Sequence, residues 1–372
     1  ILHLIKSLGR GGAEKLLLET LKLHDKNRFE FHCVYFLPWK NQMVDEISKA
    51  GAKVSCIPAK NNFLILLRLP WIIRYVRLNK IDLIHCHLPV AGIVGRLVKR
   101  ITGVPLLYTE HNIQESYHRT TRLLNRLTYS WQNEVIAVSG SVAGSIQRNI
   151  SSKVPVRVLP NGINVNEFVR DVAAGQAVRK KMRIPEQALV VGTVAVFRPH
   201  KRLDKWMEIF TRARQKNENL FALIVGDGPL RSELELQISR LGLSNYLFLT
   251  GLQVDVKPWL SAMDIFMMTS AYEGLPVALL EAMSMECAIV STAVGGIGEV
   301  VRHGVDGFLA SENDFESIAA FLTHVACNPL QIQKMGKSAR AWVENSYNLT
   351  AMVQNLEDIY ELYVHPKEHG SV

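Results

Sequence analysis

The sequence has 372 residues, 48% of them hydrophobic, and a net charge of +9, a length and apolar content that suit two domains with a substantial core each. The charge is uneven: residues 1–165 hold 23 Lys and Arg against 10 Asp and Glu, and residues 166–372 hold 20 against 24, so the amino-terminal half is the basic one. No apolar run reaches the roughly 18 to 20 residues of a membrane span, no stretch reads as a signal peptide, and the basic half lacks the interleaved aromatics of a nucleic-acid surface. Five cysteines, scattered and without a Cys-x-x-Cys, fit a reducing cytoplasm. The chain opens at Ile1 on what already reads as a buried strand, so few residues are expected before it.

Residues 1–6 are a compact apolar run. Ser7-Leu8-Gly9-Arg10-Gly11-Gly12-Ala13-Glu14 follows, then an amphipathic helix to about Leu23. The glycine spacing is not the dinucleotide fingerprint; it suits either a close backbone approach to a ligand or a tight connection alone. Strand-like runs at 29–36, 53–57, 81–87, 105–109, 134–138 and 156–159 alternate with helical stretches. That alternation predicts a parallel sheet covered on both faces, with ligands at the carboxyl ends of its strands. Two of those ends carry histidines: His85 and His87 on one, Glu110-His111-Asn112 on the next. No carboxylate or cysteine completes a ligand set, so no metal is expected there. His111 is the better candidate for a ligand contact, against a core or capping role.

Phe63 to Leu78 mixes large apolar residues, Trp71 among them, with Arg68, Arg74 and Arg77. It reads either as a core helix with solvated arginines or as an interfacial one. Arg119, Arg122 and Arg126 interleave Leu123, Leu124 and Leu127 at helical spacing. With the charge of the whole half, the two stretches predict weak peripheral contact with an anionic membrane.

Pro160-Asn161-Gly162-Ile163-Asn164 is a turn and marks a boundary. A short helix is predicted within 171–186. A strong apolar strand, 189–197, then runs into Arg198-Pro199-His200-Lys201-Arg202. Arg198 and Lys201 at this strand end offer a fork and a point charge to phosphate; a surface charge run is the alternative, and Arg202 and Lys205 read as solvated. Strands at 221–225 and 246–250 end in Gly226-Asp227-Gly228-Pro229 and Gly251-Leu252. A short strand, 265–269, is broken at Gly274. Pro276 then opens a helix over 277–285, and three helical stretches are predicted after Asn328, the last over 349–363. The first amides of the 277–285 helix favour an anion. Glu273 and Glu281 repel phosphate but accept hydrogen bonds from sugar hydroxyls. A nucleotide sugar satisfies both.

The string Glu273-Gly274-Leu275-Pro276 with Glu281-Ala282-Met283, followed by Gly295-Gly296 and Gly307-Phe308-Leu309, resembles the signature of family 4 retaining glycosyltransferases of the GT-B fold. The resemblance covers essentially the whole chain. It implies an α/β GT-B architecture, two Rossmann-like domains facing a central cleft: 1–163 on the acceptor side, 164–346 for the donor, and 347–372 as a helix crossing back to the first domain, with hinges near Asn161 and Tyr347. The implied reaction moves a hexose from a nucleoside-diphosphate sugar, UDP before GDP, to a lipid-linked acceptor or polysaccharide precursor, with retention and with neither metal nor cofactor. The implied setting is cytoplasmic, at the inner face of the membrane. Carried over by motif, Gly11, Gly12 and Gly226 lie against the donor, the backbone at Leu252 meets its base, and Glu281 takes the ribose. Arg198, Lys201 and the amides of Val277 and Ala278 neutralise the diphosphate. Glu273, with the amides of Gly274 and Leu275, holds the transferred sugar, and His111 completes the site as the cleft closes. The departing phosphate acts as base. A non-catalytic nucleotide-sugar-binding protein is a rival reading, disfavoured because both acids and both bases are present; a GT-B epimerase is another.

Overall fold

Strands buried on both faces need no alternation of polar and apolar residues, and the chain uses none: Phe31–Tyr35 is buried at every position, as is Leu220–Val225. In a computed structural model that describes residues 1–364, the chain divides into two compact units, Ile1–Asn161 with the segment from Leu349, and Gly162–Asn348.

The first unit holds β1 (Leu2–Leu4), β2 (Phe31–Tyr35), β3 (Ala52–Cys56), β4 (Ile84–His87), β5 (Leu106–Glu110), β6 (Glu134–Ala137) and β7 (Val156–Val158). They form one sheet in the order β3-β2-β1-β4-β5-β6-β7, every pair parallel. The second unit holds β8 (Leu189–Val194), β9 (Leu220–Val225), β10 (Leu247–Leu249), β11 (Ile265–Met268), β12 (Ala288–Thr292) and β13 (Gly307–Ala310), in the parallel order β10-β9-β8-β11-β12-β13. In each sheet the winding reverses once, between β1 and β4 in the first and between β8 and β11 in the second. Neighbouring connections leave in opposite directions there and open a crevice at the carboxyl edge.

Four details depart from the sequence reading. The strand expected over 189–197 ends at Val194, and Pro199–Lys201 is a single 3-10 turn. β12 and β13 were not anticipated as strands. Pro276 caps the next helix from the position before it, and the helix runs over Val277–Ser284. Among the described residues after Asn328 there are two helices where three were expected, Pro329–Ser346 and Leu349–Val364. Gly336 does not interrupt the first of them; a Cβ there would lie 2.1 Å from the Glu286 carbonyl oxygen, so the missing side chain serves close packing.

The Leu349–Val364 helix packs against the Gly12–Leu23 helix of the first unit. Its anchor is Glu357, 3% exposed. Oε1 accepts from the Asp25 amide at 2.8 Å and pairs with His24 Nδ1 at 2.9 Å, and Oε2 accepts from Arg28 at 3.0 Å. Removing one partner of such a buried set strands the others and costs about 3 kcal/mol. Glu357→Leu should lower Tm by about 6 to 12 °C in a thermal melt; an unchanged Tm would show that apolar packing alone holds this helix.

Candidate functional site

The second unit concentrates its polar groups at the β8/β11 reversal. Lys201 lies in the loop after β8 and Glu273 in the loop after β11, with Nζ and Oε1 2.5 Å apart. Ser270 Oγ donates to the same carboxylate oxygen at 2.6 Å. The two loops are fastened to each other independently of that pair. Thr269 Oγ1 lies 3.0 and 2.9 Å from the carbonyl oxygens of Lys201 and Arg202, the Ala271 amide donates to the His200 carbonyl at 2.8 Å, and the His200 and Tyr272 rings stack at 4.8 Å. Burial, then Lys201, lowers the His200 pKa; burial, then Glu273, raises that of Tyr272.

Gly295 and Gly296 hold the acid from behind. Gly296 donates to the Gly274 carbonyl at 2.6 Å. At Gly295, φ is +55° and a Cβ would stand 1.9 Å from the Glu273 carbonyl oxygen, so no other residue fits without moving the loop. Glu273 is thus positioned by backbone contacts on one side and by a cation on the other.

The Val277–Ser284 helix begins four residues after Glu273, with no side-chain cap and no acid in its first turn. Val277 and Ala278 are half-buried, and Glu281, at 2% exposure, is buried one turn further in. Arg198 is exposed and makes no side-chain hydrogen bond or ion pair with the described residues. Arg202 instead reaches Glu312 and Asn313, and Lys205 pairs with Glu208, so neither joins the cluster. The Gly226 amide donates to the Gly251 carbonyl at 3.0 Å, joining the ends of β9 and β10 beside the exposed Leu252. An uncapped helix start, an uncommitted guanidinium and an acid held by a lysine can bind an anion and a polyol side by side.

In the first unit, Gly11 caps the Gly12–Leu23 helix, and His87 and His111 leave the neighbouring strands β4 and β5. His111 Nε2 lies 3.3 Å from His87 Nδ1, and His87 Nε2 lies 3.0 Å from His3 Nδ1. Burial pushes the pKa of His111 down to about 4 and those of His3, His85 and His87 well below the ordinary histidine value, which favours the neutral ring at each. His3, His85 and His87 each place one ligand nitrogen within 4.8 Å of the others. His3 Nδ1 and His87 Nε2 are bonded to each other, and His85 to Thr109 and Tyr360 at 2.7 Å each, which leaves His3 Nε2 without a hydrogen-bond partner among the described residues. His3 was not singled out from sequence; it is separated from His87 by 84 residues and brought beside it by the β1/β4 pairing. Behind His111, Glu110 bonds Tyr117 and Gln114, and burial raises its carboxyl to about 7.

Two family models match the chain: "Glycosyltransferase Family 4" over residues 10–167 and "Glycosyl transferases group 1" over 176–348. Among curated proteins, the chain is 25% identical to an Escherichia coli UDP-Gal:alpha-D-GlcNAc-diphosphoundecaprenol alpha-1,3-galactosyltransferase, covering 94% of this chain and 93% of that one. It is 23% identical to the capsular polysaccharide biosynthesis glycosyltransferase CapM of Staphylococcus aureus, over 90% and 94%. The crystal structure of Anabaena HepE with UDP-glucose superposes with a TM-score of 0.85 at 22% identity, covering 97% of this chain and 99% of that one, a likeness of fold.

The backbone support of Glu273 can be tested without any ligand. Gly295→Ala combines left-handed strain with a clash and should destabilise the second unit by about 2 kcal/mol or more. Gly298→Ala, which meets nothing within 4 Å, should stay within about 0.5 kcal/mol of the parent. Equal melting temperatures for the two variants would remove Gly295 as the support.

Proposed function

Because the chain belongs to glycosyltransferase family 4, a family of retaining hexosyltransferases with the GT-B fold, we propose that it transfers a hexosyl group from a UDP-sugar to a lipid-linked acceptor at an anionic membrane surface. The observation that carries the donor half is the placement of Lys201, Glu273 and the uncapped Val277–Ser284 helix at the winding reversal of one sheet. In this reading Arg198, Lys201 and the amides of Val277 and Ala278 take the diphosphate. As the sugar–phosphate bond breaks, negative charge grows on the leaving group, and fixed cations and amides stabilise it there more than in the ground state. Glu281 takes the ribose hydroxyls. Glu273, with the amides of Gly274 and Leu275, takes hydroxyls of the transferred sugar, and Gly226 and Leu252 border the rest of the nucleotide. Gly11, Gly12 and His111 are the candidate ligand contacts of the first unit.

The surface of the first unit supports the acceptor half. The Phe63–Leu78 stretch is two helices, Asn62–Leu67 and Leu69–Leu78. Ile65, Ile72 and Val76 face the core, whereas Phe63 is 68% and Trp71 58% exposed, with Leu67 and Leu78 exposed beside Arg74 and Arg77. On the Arg119–Thr128 helix, Leu123, Leu124 and Leu127 are exposed among Arg119 and Arg126. Leu69–Leu78 and Arg119–Thr128 both pack against the Pro89–Thr102 helix, so the two basic-apolar surfaces share one layer. No helix among the described residues is long and apolar enough to cross a membrane; peripheral attachment is the mode these residues suit. A diphosphoundecaprenol-linked substrate, as in the name of the E. coli relative, is an acceptor of this kind.

Assayed with a panel of UDP-sugars, Lys201→Ala and Glu273→Gln should each lower turnover at least a hundredfold, about 2.7 kcal/mol of transition-state stabilisation, with melting temperatures preserved. Normal turnover in either folded variant would remove the assignment. Glu281→Ala should weaken UDP binding more than it slows transfer. Activity should persist in excess EDTA, since the basic residues supply the charge; complete loss restored by Mg²⁺ or Mn²⁺ would contradict this. In flotation assays the protein should bind anionic vesicles at low salt and much more weakly near 1 M, where screening is nearly complete. No binding at low salt, or equal binding to neutral vesicles, would favour a soluble acceptor.

A further inference from the structure

His111 reaches into the first unit through a line of rings. Its Nε2 meets His87 Nδ1 at 3.3 Å, His87 Nε2 meets His3 Nδ1 at 3.0 Å, and the line stops at His3 Nε2, which is buried and has no hydrogen-bond partner. His85, though its ring centroid is 4.3 Å from that of His87, bonds Tyr360 and Thr109 instead and stands outside the line.

A neutral imidazole has one N–H and one bare nitrogen. Three such rings bonded in series therefore share a single polarity, and only two arrangements exist. In one, each ring donates inward, and the line ends in a buried N–H at His3 Nε2. In the other, each donates outward, and His3 Nε2 is a bare acceptor. The neighbouring cavity is walled by Leu16, Leu17, Val138, Leu159 and Leu356, with Thr20, Thr109 and Asn161 as its polar members besides the histidines, and none of these bonds His3 Nε2. An orphaned N–H is rarer in protein interiors than an under-used acceptor, so the buried end selects the outward polarity. His3 Nδ1–H then donates to His87 Nε2, His87 Nδ1–H donates to His111 Nε2, and the remaining proton of His111 sits on Nδ1.

We propose that His3 and His87 are positioning residues for His111, a line of imidazoles that fixes its proton on Nδ1, so that this ring meets a ligand only as a neutral hydrogen-bond donor and not as a general base. The tautomer rests on the hydrogen-bond geometry of three neutral rings; its chemical consequence rests on the glycosyl-transfer reading. Under that reading Nδ1–H donates to a hydroxyl oxygen of the transferred hexose or its acceptor. The proton released by the attacking hydroxyl must go to another acceptor, since the only bare nitrogen of His111 is occupied by His87. A ring free to rotate or exchange tautomers would lose this selectivity.

Long-range ¹H–¹⁵N correlation on the full chain with ¹⁵N-histidine, the His111 signals assigned by their loss in His111→Gln, reads the tautomer directly at neutral pH. The expected spectrum has a protonated Nδ1 and a bare Nε2 on His111. A proton on Nε2, or on both nitrogens, overturns the proposal whatever the enzyme does. His87→Asn places a side-chain N–H near the former Nδ1 and should retain the Nδ1–H tautomer, with kcat within about threefold of the parent. His87→Leu should release it and lower kcat about tenfold, with KM for the UDP-sugar unchanged. Identical His111 spectra in the parent and the Leu variant would also overturn it. Should the parent transfer no sugar from any UDP donor, the proposed function fails, while the spectrum still decides the tautomer.

Discussion

The candidate site of the second unit is built around one contact, the approach of Lys201 to Glu273 across the reversal of its sheet. Two strands that neighbour each other but send their connections in opposite directions bring two loops face to face, and here one loop carries a cation and the other an anion. Left to side chains alone, the pair would be a half-buried ion pair of modest strength. It is held instead by backbone. Thr269 and Ala271 fasten the loops together, and Gly296 and the side-chain-free Gly295 fix the acid from the rear. The carboxylate is thereby kept beside an anion-attracting helix start without closing it off.

The two units use opposite electrostatic means. The second keeps Arg198 exposed and pairs Lys201 with an acid, so charge remains available at its edge. The first buries His3 and His87, which disfavours their charged forms, and relies there on the direction of hydrogen bonds rather than on charge. Exposed arginines of two of its helices, Arg74, Arg77 and Arg126, lie beside exposed Trp71 and Leu127 instead.

Much of this was legible because it is local. Glu273 to Glu281 is a single loop and helix, and the whole string around the two acids, rather than their spacing alone, carries the reading. Alternating apolar runs predicted the first unit's strands. What escaped notice is non-local or unmarked. His3 looks like any polar residue in a short strand until pairing sets β1 beside β4. Ser270 lies within the recognised string, yet only the loop's curvature turns its hydroxyl onto Glu273. β12 and β13 are short and lie within a stretch read as a motif rather than for its strands. The apolar residues of 63–78 could not be divided between core and surface without the break at Arg68, after which Ile72 and Trp71 face opposite ways.

The central claim is that the helix start at Val277 and the flanking Arg198 and Lys201 receive a nucleoside diphosphate. A crystal structure with UDP, grown in EDTA, tests this most directly. The account predicts the terminal phosphate on the Val277 and Ala278 amides with a basic side chain against it, and the ribose hydroxyls on Glu281. A diphosphate bound away from this helix, or bound only when a divalent cation is supplied, would contradict it.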